Sequence, residues 1–217
     1  MTIAENLSKV HQNILLACKK SNRDPSTVKL VAVTKTANAS ETIEAINAGA
    51  TAVGENRIHI AQEKFPHLPA VEKHMIGHLQ TNKAKSAVEL FDVIQSVDSL
   101  KLAKEIDKRA KDAGKVMKIM IQVNVSGEEQ KFGIPADEAA GFYNKLTAFL
   151  NIKVIGIMTM APFVEPEETR HFFKKTKELA EGLNLKEISM GMTNDYMIAI
   201  EEGSTMVRIG RAIFNPA

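Results

Sequence analysis

The chain is poor in residues that cross-link or ballast a small protein. Tryptophan is absent, tyrosine occurs twice, cysteine once, and aromatic residues make up 5% of 217. One cysteine excludes an internal disulfide and fits a reducing compartment. Cys18 lies in the apolar run ILLAC and reads as a small buried hydrophobe rather than a nucleophile. Neither sign of charge is in excess, since 28 basic residues meet 26 acidic ones. That balance excludes the basic stripe a nucleic-acid partner requires, while single anionic groups remain open as ligands. No stretch approaches the roughly eighteen apolar residues of a membrane span. The N-terminal MTIAENLSKVHQNILLACKK has helical spacing with Glu5 early, which is not a signal peptide. Linkers rich in proline, glycine or serine are also missing. The expectation is one cytoplasmic domain over residues 1–217, with no membrane contact.

Short apolar runs alternate with amphipathic stretches instead, the pattern of a parallel sheet covered by helices. Strands are predicted at 29–35, 50–56, 73–79, 91–97, 117–125, 153–160, 187–192 and 205–210, after an opening helix over 2–21. Between them, SETIEAINAG begins with Ser40 as its predicted N-cap and closes at Gly49. DSLKLAKEIDKRAKDAG is punctuated by Asp98 and Gly114, and PEETRHFFKKTKELAEGL carries Pro166 in its first turn. Eight strands with helical returns make a (β/α)8 TIM barrel with an extra N-terminal helix. The rival, an open doubly wound sheet, usually carries a glycine-rich fingerprint after its first strand, where this chain has TKTANAS.

A barrel keeps its chemistry at the carboxyl ends of the strands. The first, LVAV, ends in Thr34 and Lys35. A lysine there has a bland reading, its stem lying along apolar surface with the ammonium in water. Arg208 sits inside the apolar stretch Met206-Val207-Arg208-Ile209, where a charge is costly unless paired. Its bland reading is an ion pair with a rim carboxylate such as Glu55. Ser189, Gly191, Thr193, Gly210 and the amide of Arg211 follow the last two strands, where barrels often hold a phosphate, although glycines also serve tight turns. An amine condenses with a carbonyl only in its neutral form, which an apolar site and a cationic neighbour both favour. Pyridoxal phosphate fits the set, with Lys35 for the aldehyde, the last two loops for the phosphate and Arg208 for the ring nitrogen.

VAVTK, GENR, IGHLQTNK, VNVSGEEQKFGI, GIMTM, SMGMTND and STMVRIGRAIF, in this order, resemble the pyridoxal phosphate homeostasis family, the YggS/PROSC group. The likeness covers at least residues 30–214. It implies a single-domain barrel of the alanine-racemase-like pyridoxal phosphate fold (fold type III), with the cofactor on Lys35 through a Schiff base. It further implies Arg208 facing the pyridine nitrogen, Asn56 near the ring, and Ser189, Gly191, Gly210 and Arg211 around the phosphate. Lys73-His74 replaces a usual aromatic residue, Thr193 a usual serine, and GENR continues as IHIAQEK.

An arginine opposite the pyridine nitrogen disfavours ring protonation and weakens the ring as an electron sink. A two-base racemase also needs a second acid/base, and neither Tyr143, in the helical stretch 136–150, nor Tyr196, opening the helix after strand seven, is an obvious one. The expectation is a non-catalytic carrier in vitamin B6 and amino-acid homeostasis, monomeric, with pyridoxal-phosphate-dependent apo-enzymes as partners. An amino-acid racemase and a Schiff-base aldolase are the alternatives. Lys131, in GEEQKFG, is either a second lysine near the mouth or a solvated loop charge. His74 and His78 are the closest histidine pair, about 13 Å apart along a strand, too far for one ion, so no metal is expected.

Overall fold

Apolar runs flanked by turn residues become short parallel strands, and in the computed structural model, which describes residues 1–215, those strands close into a barrel. They are β1 (Lys29–Val33), β2 (Ala52–Glu55), β3 (Glu72–Met75), β4 (Val93–Val97), β5 (Met117–Asn124), β7 (Ile152–Met158), β8 (Glu187–Ser189) and β9 (Met206–Ile209). Neighbours pair in that order, and β9 returns to β1. The two-residue β6 (Ile134–Pro135) pairs with the end of β5 outside the ring and was not expected. All eight predicted strands exist. The third ends four residues early, at Met75, because Gly77 packs against the backbone of Asn56: an added Cβ would sit 2.3 Å from the Asn56 carbonyl oxygen.

The helical layer is α1 (Ile3–Lys20), α2 (Ala39–Asn47), α3 (Ile58–Lys64), α4 (Ala84–Leu90), α5 (Leu100–Asp112), α6 (Ala139–Leu146), α7 (Arg170–Gly182), α8 (Tyr196–Glu201) and α9 (Arg211–Phe214). Among the described residues no helix is long and apolar enough to cross a membrane. Thr2 and Glu5 form a capping box at α1, whose buried stripe Leu7, Val10, Ile14, Ala17 and Cys18 covers α8 and α9. The cap of α2 is Asn38, not Ser40. Its side chain accepts from the Glu41 amide while the Glu41 carboxylate accepts from the Asn38 amide. Likewise Ser99 caps α5, which leaves Asp98 to face His78.

Strand alternation sorts side chains to the two faces of the wall. Register aligns Val31 with Ala52 and Arg208, Gly54 with His74, His74 with Val93, and Ser189 with Met206. These residues share the inner face. Val31, Ala52, Val93, Met120, Met158 and Met206 form a small inner core, while the larger one lies between strands and helices.

Gly156 is the tightest point of the wall. A Cβ there would fall 1.9 Å from the Glu187 carbonyl oxygen, beside the register shift between β5 and β7. Gly156→Ala is expected to lower the unfolding free energy by about 3 kcal/mol or more. Gly141→Ala on α6, where the added carbon meets open space, should be neutral or stabilise by up to about 1 kcal/mol. Denaturant unfolding of the two variants checks this, and equal losses would contradict it.

Candidate functional site

The chain leaves β1 through Thr34 and Lys35. Thr34 continues the ladder by donating its amide to the Gly54 carbonyl at 3.0 Å, and its side chain turns outward, beneath α3. There its Oγ1 donates to Glu55 Oε1 at 2.6 Å. Lys64 Nζ donates to the same carboxylate oxygen and to the Thr34 carbonyl, both at 2.6 Å. Glu55 and Lys64 are buried, so this is a charge pair sealed behind the barrel wall. The Thr34 carbonyl also accepts from the Ala37 amide at 3.0 Å, which fills both of its lone pairs. The peptide preceding Lys35 is therefore held from two sides. Lys35, next in alternation, is exposed at the mouth.

This geometry rules out the bland reading of Arg208 as the ion-pair partner of Glu55. Glu55 follows Gly54 on β2 and so faces the helices, whereas Arg208 faces the barrel interior; the wall separates them. Sequence reading missed Lys64. The signal was its spacing, since Ile58, Ala61 and Lys64 recur every three residues along the buried stripe of α3.

Arg208 is 4% exposed. Its Nη1 donates to Ser189 Oγ at 2.7 Å and its Nη2 to the Thr159 carbonyl at 2.8 Å. Burial pulls its guanidinium down to about 10, opposed by the charge of Asp195, so it stays cationic at neutral pH. Asp195 is pushed up by burial, and its carboxylate accepts from the Met192 amide at 2.6 Å, folding the turn after β8. Ser189 in turn donates to Gln95 Oε1 at 2.7 Å and is fully buried. The sequence expectation set Ser189 around a phosphate. In this structure its hydroxyl lies beneath the guanidinium, because its position on β8 points it into the barrel.

Gly191 has φ +91, and a Cβ would lie 2.5 Å from the Ala199 Cβ, so α8 closes directly onto this turn. At Gly210 a Cβ would lie 2.9 Å from the Val33 carbonyl oxygen, which brings the β9 turn against the end of β1. Thr193, Asn194, Arg211 and Ala212 line one cavity of about 630 Å³, walled on its far side by Asn6, Lys9 and Asn13 of α1. The β1–β2 register ends with Val33 opposite Gly54, and Lys35 and Asn56 each follow two residues later as the chain leaves those strands. The Asn56 Oδ1 is buried with no hydrogen-bond partner among the described residues. Of the predicted residues, Lys35, Asn56 and Gly210 follow the ends of β1, β2 and β9, Gly191 and Arg211 lie on the turns after β8 and β9, and Arg208 and Ser189 lie beneath. His78 falls on the loop after β3 rather than on a strand face with His74. It is stacked on Phe132, with ring centroids 3.9 Å apart. Lys131 pairs with Glu128 in the same loop as Phe132.

A closed parallel barrel with a lysine at the end of its first strand and a buried arginine on its last defines a class, and residues 6–216 match the alanine racemase N-terminal domain. The pyridoxal phosphate homeostasis protein of Aquifex aeolicus is 38% identical, over 99% of this chain and 98% of its own. That of Haemophilus influenzae is also 38% identical, over 99% and 95%. The solved structure of PipY from Synechococcus elongatus, with pyridoxal phosphate bound, superposes with a TM-score of 0.87 at 33% identity, over 99% of this chain and all of that one. The chain belongs to the pyridoxal phosphate homeostasis protein family.

The buried pair behind Lys35 makes a stability prediction. Lys64→Met leaves the Glu55 carboxylate sealed without its cation, and is expected to cost about 3–5 kcal/mol. Adding Glu55→Gln removes the stranded charge and should recover most of the loss. Chemical denaturation of parent, single and double variants checks this; a double variant no better than the single would refute it.

Proposed function

We propose that this protein binds pyridoxal phosphate in the barrel mouth, with Lys35 as its covalent anchor, and stores and hands on the cofactor rather than transforming amino acids. The observation that carries this reading is the strand register. Val33 at the end of β1 pairs with Gly54 on β2, and Val31 pairs with Arg208 on β9, which supports a Lys35 that leaves the strand at the mouth above the guanidinium. When bound, pyridoxal phosphate supplies an aldehyde that a neutral amine captures reversibly.

The residues present fit such a ligand. The orphaned Asn56 Oδ1 offers a buried acceptor just past the end of β2. The turns at Gly191, Thr193, Gly210 and Arg211 offer small residues, a hydroxyl and a guanidinium to an anion. Arg208 offers N–H donors and no acceptor, so it suits an unprotonated ring nitrogen. The clamp on the Thr34 carbonyl fixes the backbone from which the Lys35 side chain departs.

Two further observations favour storage over turnover. A donor opposite the ring nitrogen keeps that nitrogen unprotonated and blunts its pull on electrons. Nor does either tyrosine stand by Lys35 as a second acid/base. Tyr143 packs in the helical layer, and Tyr196 is buried under α1, its hydroxyl accepting from Asn13 at 2.9 Å. Exposed Phe132, Phe163, Val164 and Met192 stand on loops after β5, β7 and β8, on the same rim. They offer an apolar contact for apo-enzymes that receive the cofactor. The closed sheet leaves no barrel edge to pair, which supports a monomer.

Incubation with pyridoxal phosphate is expected to give a visible absorbance band that borohydride removes, with the reduced adduct mapping to the Lys35 peptide. Lys35→Ala should show neither. An adduct confined to another lysine would sink the anchor assignment, and sustained racemisation of free amino acids by the loaded protein would sink the storage role.

A further inference from the structure

The hydrogen bonds below Arg208 do not stop at Ser189. Gln95 Oε1 accepts from Ser189, and Gln95 Nε2 lies 2.8 Å from His74 Nδ1. His74 Nε2 lies 3.3 Å from Glu72 Oε2, the oxygen that also pairs with Lys29. Register puts all of these side chains on the inner face, from Arg208 near the mouth to Lys29 and Glu72 at the amino-terminal ends of β1 and β3. Ser189, Gln95 and His74 are each 0% exposed. Ser189 and Gln95 meet their hydrogen-bonding needs within the file, and His74 Nε2, which has no hydrogen bond of good geometry, has Glu72 Oε2 as its nearest charged neighbour.

With Gln95 turned so that its Oε1 meets Ser189 and its Nε2 meets His74 and Met206 Sδ, the protons of the file follow one assignment. A guanidinium has no acceptor, so Ser189 Oγ accepts from Arg208 and its single proton goes to Gln95. Gln95 then turns its amide NH2 toward His74, whose Nδ1 must be a bare acceptor. The neutral imidazole carries its proton on Nε2, facing Glu72. The contact with His74, and after it that with Lys29, holds the Glu72 carboxyl down at about 2, so it is ionised in ordinary buffers. Every donor from Arg208 onward points the same way, toward that carboxylate. Among the described residues, no carboxylate lies within ion-pair distance of Arg208 itself.

We infer that Gln95 and His74 are positioning residues for Arg208. Together they fix the Ser189 lone pair that aims the guanidinium, and with it the N–H donor that the barrel presents to an acceptor atom in its mouth. The identity of that acceptor as a pyridine nitrogen rests on the cofactor reading; the file is a property of the chain alone.

The tests separate the two. Nitrogen-15 imidazole NMR of the protein without added ligand, at pH 8, is expected to show His74 with its proton on Nε2. A proton on Nδ1 at that pH overturns the file whatever the cofactor does. Pyridoxal phosphate titrations, followed by absorbance, then compare the parent with Gln95→Leu and Gln95→Glu. Gln95→Leu keeps the volume and removes both bonds, and uptake should weaken about tenfold. Gln95→Glu keeps the acceptor for Ser189 but requires a second proton on His74, flanked then by Glu72 and the new carboxylate. Its affinity should approach the parent's toward pH 6 and fall away above pH 8. If both variants only lose thermal stability, with affinity and pH profile unchanged, Gln95 and His74 merely pack and the positioning role is refuted. If the parent gives no adduct at Lys35, the cofactor reading falls while the NMR result still decides the file.

Discussion

A guanidinium sealed inside a cylinder of strands must be solvated by the protein itself. An unpaired buried charge costs several kcal/mol, so Arg208 dictates the character of the residues around it. The neighbouring strands answer with acceptors: the Ser189 hydroxyl on β8 and the carbonyl of Thr159 just past β7. Each acceptor has its own requirement, which passes to Gln95 on β4, then His74 and Glu72 on β3. One charged residue in an apolar strand thus accounts for a polar file through an otherwise methionine-rich interior.

The wall carries a second buried charge system on its other face. Glu55 and Lys64 lie between β2 and α3, and their hydrogen bonds end on Thr34, one residue before Lys35. The two systems are only a strand's thickness apart but are insulated by the pleat, which turns successive side chains to opposite sides. The outer pair fixes the backbone at the end of β1, and the inner file fixes a donor beneath the mouth. The reactive rim is held from both sides by groups that never reach it.

That division explains what could be read from the sequence. Strand runs, their alternation with helices and the lysine closing LVAV are local patterns, so the barrel and the place of Lys35 at its mouth are legible in the sequence. Which face a strand residue takes depends on register, and register is a property of pairs of strands. The pairing of Glu55 with Lys64, and the contact of Ser189 with the guanidinium, are therefore invisible to a reading of single strands. The caps failed for a related reason. Asn38 and Ser40 are both good caps, and the choice fell to the residue with Glu41 three positions on. His78 was counted as strand because IGHL is apolar, but the close approach of Gly77 to Asn56 had already turned the chain off the sheet.

The electronic consequence of Arg208 ties this packing to the proposed role. A carboxylate in its position would accept a hydrogen bond and draw a proton onto a ring nitrogen, whereas a guanidinium can only donate. Protonating the ring against such a donor would strand a cation beside a cation in a low-dielectric site, where like charges repel strongly. Burial does lower the guanidinium toward about 10, yet that leaves it charged across physiological pH. In the proposed role, such a site would hold a heteroaromatic acceptor while denying it the proton that carbanion chemistry exploits. The proposed retention without turnover would rest on the same constraint that organises the inside of the barrel.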